Sequence, residues 1–451
     1  MLPDAVIGDA YTSEFAWDLL EELTEVGSRM AGHDGEAEGA RIVEAALSDA
    51  GLRGAEITEF PIPGWWRGEA SLSAEASDGR GRTFDAEYEL LGLPGTPADE
   101  VEAEIVDVSP GLPADFSGED LEGKIALVGS QNPPDYGRAV NRIEKYARAV
   151  EAGAVGFVYY NDTTDGAIPT TGTIGFCHEF PAAIPAVGAS REVGANLRRY
   201  LDAGGVTGTL SVDARSGEAT CRNVEAVVGP EDGPEVLVTG HVDAHDISDG
   251  ARDNGVGATL AVEVGRLLAL MEDDLDCRVR VVVFGGEETG LFGSRRWAET
   301  HDLDRVAGHV NLDGIGYARD LRVAGLGLLS AFEEVGGAFH GKIEAEPAAS
   351  PFNDHWPFVR EGVPSVSCRS TAGGTGQVVR YGNLEWGHTH ADTLDKLDPR
   401  DLRDLAIPVA SAVAAIADRA DGIDRVPEER VRGTIPDGLA EFLRLDGRWP
   451  W

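Results

Sequence analysis

Between residues 14 and 52 apolar positions recur at helical spacing in EFAWDLLEELTEVG and GEAEGARIVEAALSDAGL, predicting two amphipathic helices separated by SRMAGHD and ended at Gly51. The period then changes. ITEFPIPGWW, ASLSAEAS, TFDAEYELLG, EAEIVDVS and GKIALVGS are short alternating segments punctuated by Gly and Pro, which predicts β-structure. A helix (RAVNRIEKYARAVEAGA), the strand VGFVYYND, a Gly/Thr-rich loop at 166–176, a helix around 191–203 and VTGTLSVDA follow. From 222 the order becomes regular: strands NVEAVVG and EVLVTGH, helix GVGATLAVEVGRLLALM, strand CRVRVVVFGG, a helix from about 291, strands GHVNLDGIG and VPSVSCRS, and helix RDLRDLAIPVASAVAAIADRA. Near-continuous apolar strands alternating with helices predict an α/β fold, a mixed and mostly parallel central sheet flanked by helices on both faces. We divide the chain into 1–61, the N-terminal helices of the main domain; 62–216, an inserted β-rich module; 217–423, the rest of the main domain; and 424–451, a short closing tail ending RWPW.

In an open α/β sheet, ligands bind outside the carboxyl ends of the strands. Polar residues collect there repeatedly. EVLVTG runs into His241-Val-Asp243, CRVRVVVFGG into Glu287-Glu288 and HVNL into Asp313, while Asp253-Asn254 precede a helix and WGHTHADT supplies His388, His390 and Asp392. Each has a plainer explanation: Asp253 as a helix cap, Asp313 as a turn former, His241 as a structural imidazole, the glutamates as a solvated strand end. Independent caps and turns have no reason to fall in this order at successive strand ends. Imidazoles and carboxylates converging on one cavity form the donor set for Zn²⁺, and carboxylates can bridge two such ions. A hydrolytic reaction follows from that chemistry.

Composition narrows the partners. Against 38 Lys and Arg stand 79 Asp and Glu, a net charge of −41 spread along all 451 residues. Such a surface excludes nucleic acid and anionic membranes as partners, because phosphate recognition needs clustered cations. Self-repulsion of this size calls for screening, which predicts a salt-rich cytoplasm. No apolar run reaches the ~20 residues of a membrane span, and MLPDAVIGDAYTSEF lacks the basic start and apolar core of an export signal. Cys177, Cys221, Cys277 and Cys368 are scattered and read as reduced thiols. A homo-oligomer is left open.

HVDAHDISDGARDNGVG, GGEETGLFGS, NLDGIG and GHTHADT together resemble the di-zinc metallopeptidases of the aminopeptidase and glutamate-carboxypeptidase type, metallopeptidase family 28. The resemblance implies one zinc on His241 and Asp313, a second on Glu288 and His388, and Asp253 bridging both, with cobalt or manganese as possible replacements. It also implies that Asp243 orients His241 and that Glu287, unligated, serves as general base. His388 has the family spacing to Asp392-Thr393, leaving His390 as a neighbour. SPFNDHWPFVREGVPSV is similar to the substrate-side loop, which would set Asn353, Asp354 and His355 at the specificity pocket; Tyr317 and Tyr381 are candidates for oxyanion contacts. The module 62–216 resembles the protease-associated domain. The implied activity is removal of N-terminal residues from peptides. The alternatives are a carboxypeptidase or dipeptidase and an inactive receptor-like binding protein.

Overall fold

The computed structural model describes residues 1–163, 168–175, 180–339, 342–371 and 386–451. Four parallel strands form its centre, in the order Arg278–Phe284, Glu235–His241, Val306–Leu312 and Ser365–Thr371. Asp320–Leu326 adds antiparallel to the last of these and carries Ile343–Glu346 at the edge. Alternation along each central strand feeds two cores. Val236, Val238, Val279, Val281 and Val283 pack toward helices Val256–Ala269 and Pro399–Ala417, while Leu237, Val282 and Phe284 meet Trp297 and Phe358 on the opposite face. Both faces are covered, and the apolar residues of the strands are buried, as their continuous runs require.

The predicted helices at 14–52 occupy Phe15–Glu25 and Asp34–Asp49, preceded by Asp4–Thr12, which the sequence reading did not resolve. The segments read as separate short strands differ most. ITEFPIPGWW and ASLSAEAS belong to one strand, Arg53–Ala76, and VTGTLSVDA and NVEAVVG to another, Val206–Val228. The two pair antiparallel along almost their whole length, from Arg53↔Val227 to Ala76↔Val206. One end of this ribbon joins the central sheet through Val283↔Val224, and the other joins Asp99–Asp107 through Val101↔Leu210. Beyond it lie the parallel strands Ile125–Gly129, Gly156–Tyr160 and Ala186–Ala189 with helices Arg142–Glu151 and Arg191–Leu201. The expected boundaries at 61/62 and 216/217 therefore fall inside continuous strands. The tail forms helices Glu428–Arg432 and Asp437–Leu445, which bury Val431, Phe442 and Leu443 near Trp356. Among the described residues no helix is long and apolar enough to cross a membrane.

Candidate metal centre

His241, Glu287, Glu288 and Asp313 sit where central strands end, while Asp253 and His388 come in from turns. His241 is the last residue of Glu235–His241; Glu287 and Glu288 follow Arg278–Phe284 through Gly286, whose φ of +75° turns the chain at the strand end. Asp313 follows Val306–Leu312, and Asp253 lies in the turn leading into helix Val256–Ala269. The structure brings them together around Asp253. Its Oδ1 is 3.6 Å from Nε2 of His241, and its Oδ2 is 3.2 Å from Nε2 of His388. Oδ1 of Asp313 is 3.9 Å from Nε2 of His241, and Oε2 of Glu288 is 3.3 Å from Nε2 of His388. Oε2 of Glu287 lies 3.9 Å from Nε2 of His241. Asp253 thus faces imidazoles on both sides instead of capping the helix, and Glu287 and Glu288 are buried instead of solvated.

Outer contacts hold these groups in place. The carboxylate of Asp243 accepts from the amides of Glu287 at 3.1 Å and Glu288 at 3.2 Å, while its main-chain carbonyl takes Nδ1 of His241 at 3.0 Å. Asp392 accepts from the amides of Arg252 at 2.8 Å and Asp253 at 3.0 Å. Asn254 donates to the carbonyl of Leu312 at 2.8 Å, tying the Asp253 turn to the strand before Asp313. Asn353, expected at the specificity pocket, donates through Nδ2 to Oδ2 of Asp313 at 2.5 Å, and its own Oδ1 is fixed by Asn311 and His355. His388 Nδ1 is 3.3 Å from the carbonyl of Thr171, whose amide donates to the His388 carbonyl at 2.8 Å. His390 turns away, with Nδ1 2.9 Å from the carbonyl of Ile247. The Tyr317 hydroxyl donates to the carbonyl of Ser370 at 2.5 Å; Tyr381 and Cys177 lie outside the described residues.

The electrostatics match a cation site. Burial pushes Glu288 up to about 8 and Asp354 up to about 7, and raises Glu287 well above the carboxylate range, with neighbouring carboxylates adding to each. Burial opposes the charge on His241, yet Glu287, Asp243, Asp253 and Asp313 outweigh it and raise its pKa. Acids crowded into a buried space hold their negative charge only at a cost, which a divalent ion offsets. Nε2 of His241 is itself buried and, among the described residues, without a hydrogen-bond partner, as a nitrogen kept for a metal would be. Among the described residues two groups have ligand atoms within 4.8 Å of one another: His241, Glu287 and Asp313; and His245, Glu288 and His388. Imidazole and carboxylate donors fit zinc. His245 was missed in the sequence, although it stands four residues after His241 in the same motif.

A mostly parallel sheet with imidazoles and carboxylates gathered at its carboxyl edge defines the class as an α/β protein with a candidate metal centre. Residues 223–413 match the model of peptidase family M28 and residues 101–197, ahead of them, that of the PA domain. It is 28% identical over 313 residues to Aminopeptidase YwaD of Bacillus subtilis (strain 168), covering 68% of this chain and 62% of that protein. It is 30% identical over 289 residues to Carboxypeptidase Q of Bos taurus, covering 61% and 59%. The chain therefore spans about six-tenths of the length of these curated relatives. The solved aminopeptidase from Aneurinibacillus sp. strain AM-1 superposes with a TM-score of 0.68 at 26% identity over 94% of this chain and 97% of that one.

Proposed function

We propose that the protein is a metal-dependent aminopeptidase that binds two zinc ions, with His241 and Asp313 at one, Glu288 and His388 at the other, and Asp253 between them. The observation that carries this reading is the single Asp253 carboxylate presented to His241 at 3.6 Å and to His388 at 3.2 Å. The relatives named as aminopeptidases support the reaction. Two zinc ions at this spot would supply acidification of water and polarisation of the scissile carbonyl. The chain does the rest. Glu287, buried beside His241, takes the proton of the attacking water and returns it to the leaving amine nitrogen as the peptide C–N bond breaks. Asp243 fixes the backbone of both glutamates, and Asp392 fixes that of Asp253, so neither pair needs reorganising during turnover. Thr171, within the region matching the PA domain, abuts His388, and a module seated there narrows the approach to short peptides and exposed termini.

The reading is tested with aminoacyl anilides and their N-acetylated counterparts, each with and without a chelator. Cleavage that needs both the free amine and the metal is the expected result; chelator-resistant cleavage would defeat it. The likeness to Carboxypeptidase Q favours a second reading, release of C-terminal residues or splitting of dipeptides, and N-blocked dipeptides cleaved in preference to free-amine substrates would select it. The same proposal includes a salt-rich cytoplasm, a reading that the charge of −41 supports and that the buried thiols Cys221, Cys277 and Cys368 suit if it is reducing.

A further inference from the structure

His245 is used by none of the steps above. We propose that it is a fourth protein side chain on the ion held by Glu288, His388 and the shared Asp253, making that site richer in nitrogen donors than the one at His241 and Asp313. The proposal rests on the two-ion reading. His245 is 3% exposed, and among the described residues neither ring nitrogen makes a hydrogen bond. Its Nε2 nevertheless lies 2.9 Å from Oε2 of Glu288, which is itself 3.3 Å from Nε2 of His388. The two imidazoles meet edge to face, with centroids 4.5 Å apart. Separations of about 3 Å between atoms that are not hydrogen-bonded suit the edges of a coordination shell, since donors about 2.0–2.2 Å from zinc in a tetrahedron stand roughly 3.3 Å apart. A ring present only for stacking could be phenylalanine, whereas burying imidazole nitrogens that make no hydrogen bond is unfavourable unless another interaction offsets it. Binding an ion through Nε2 explains why the nitrogen is there. His241 and His388 brace Nδ1 on the carbonyls of Asp243 and Thr171, and His245 has no such brace. It is therefore the weakest of the three imidazole donors, and its effect is on affinity rather than on whether the site exists.

The consequence is two unequal sites, the tighter one at Glu288 and His388. Zinc competition between the metal-free full-length chain and a chromophoric chelator reads both affinities. In the His245→Phe variant, which keeps the edge-to-face contact, we expect the tighter affinity to fall about ten-fold or more and the weaker one to hold. Two unchanged affinities would overturn the role of His245 and leave the two-ion reading standing. A wild-type chain that binds no zinc would overturn both. X-ray absorption on the zinc-loaded wild type gives an answer independent of any variant: three imidazoles per two ions are expected, and two would refute the assignment.

Discussion

Glu287 and Glu288 are consecutive, yet one carboxylate faces His241 and the other faces His388 and His245. Side chains diverge at the end of an extended strand, and the Asp243 carboxylate, accepting from both amides, prevents either from rotating into the other's place. Their tasks can therefore be separated by substitution. Glu287→Gln keeps the shape and removes the proton acceptor; turnover is expected to fall by about 10²–10⁴ with zinc content unchanged, read by steady-state kinetics beside elemental analysis. Residual activity near wild type would remove Glu287 from the reaction. Asn353→Ala deletes the amide that holds Asp313 at 2.5 Å, and the expected loss is about 10–100-fold in zinc affinity, measured by chelator competition. The contrast between these residues shows what a sequence discloses. His241, Glu288 and Asp313 were legible because strand ends in an α/β sheet converge. Asn353 and Asp392 act through contacts across 40 and more residues of chain, and no local pattern encodes those. His245 stood within the quoted motif but was hidden because its role depends on where the 387–393 loop returns.

At the scale of elements, the N-terminal helices do more than cover the sheet. Arg29, in the loop between Phe15–Glu25 and Asp34–Asp49, is fully buried and donates to the carbonyls of Leu23, Val242, Asp249 and Gly250 at 2.6–3.0 Å. It clamps the loop running from His241 to Asp253. Arg29→Met leaves several buried carbonyls unpaired, at about 1–3 kcal/mol each, so a loss on the order of 3 kcal/mol or more is expected in urea denaturation, together with weaker zinc binding. Arg29→Lys recovers only part, because one ammonium cannot span four acceptors. In the second sheet region, Lys145 of helix Arg142–Glu151 is buried on the carbonyls of Gly129, Ser130 and Gln131. Burial pulls its pKa down from 10.5 to about 8. The unfolded chain then binds the proton more tightly between those values, so wild-type stability should rise relative to Lys145→Met as pH climbs from about 8 to 10.5. A pH-independent difference would show that the ammonium is no harder to bury than to hydrate. The helices were legible from their apolar stripes, but the long ribbon was not. Pro61, Pro63 and Gly64 read as interruptions, yet they lie on a strand paired there only to Val206–Val228, whose open edge tolerates a missing N–H.

For the whole molecule the balance of charge decides how salt acts. Several arginines are shared: Arg222 lies between Glu36 and Glu59, Arg280 between Glu225 and Glu235, Arg266 between Asp9 and Glu263, and Arg319 between Asp401 and Asp404. A planar guanidinium with five donors suits this sharing, and of the 38 cations only Lys124, Lys145, Lys342 and Lys396 are not arginine. Two effects of salt then oppose each other. Screening weakens these attractive pairs and also weakens the repulsion among the unmatched acids. Arg222, Arg280 and Arg266 are mostly buried and so lose little, whereas the excess of −41 is distributed over the surface, where screening is strongest. Repulsion should therefore be the larger quantity removed. The melting temperature is expected to rise with KCl, most steeply up to about 1 M, over which the screening length shrinks from about 10 Å at 0.1 M to about 3 Å. Sucrose, which stabilises by exclusion without screening charge, separates the two causes: a gain with KCl well beyond the gain with sucrose assigns the effect to charge. A melting temperature that is flat or falls with KCl would mean that the shared arginines, not the surplus acids, control the stability of the fold.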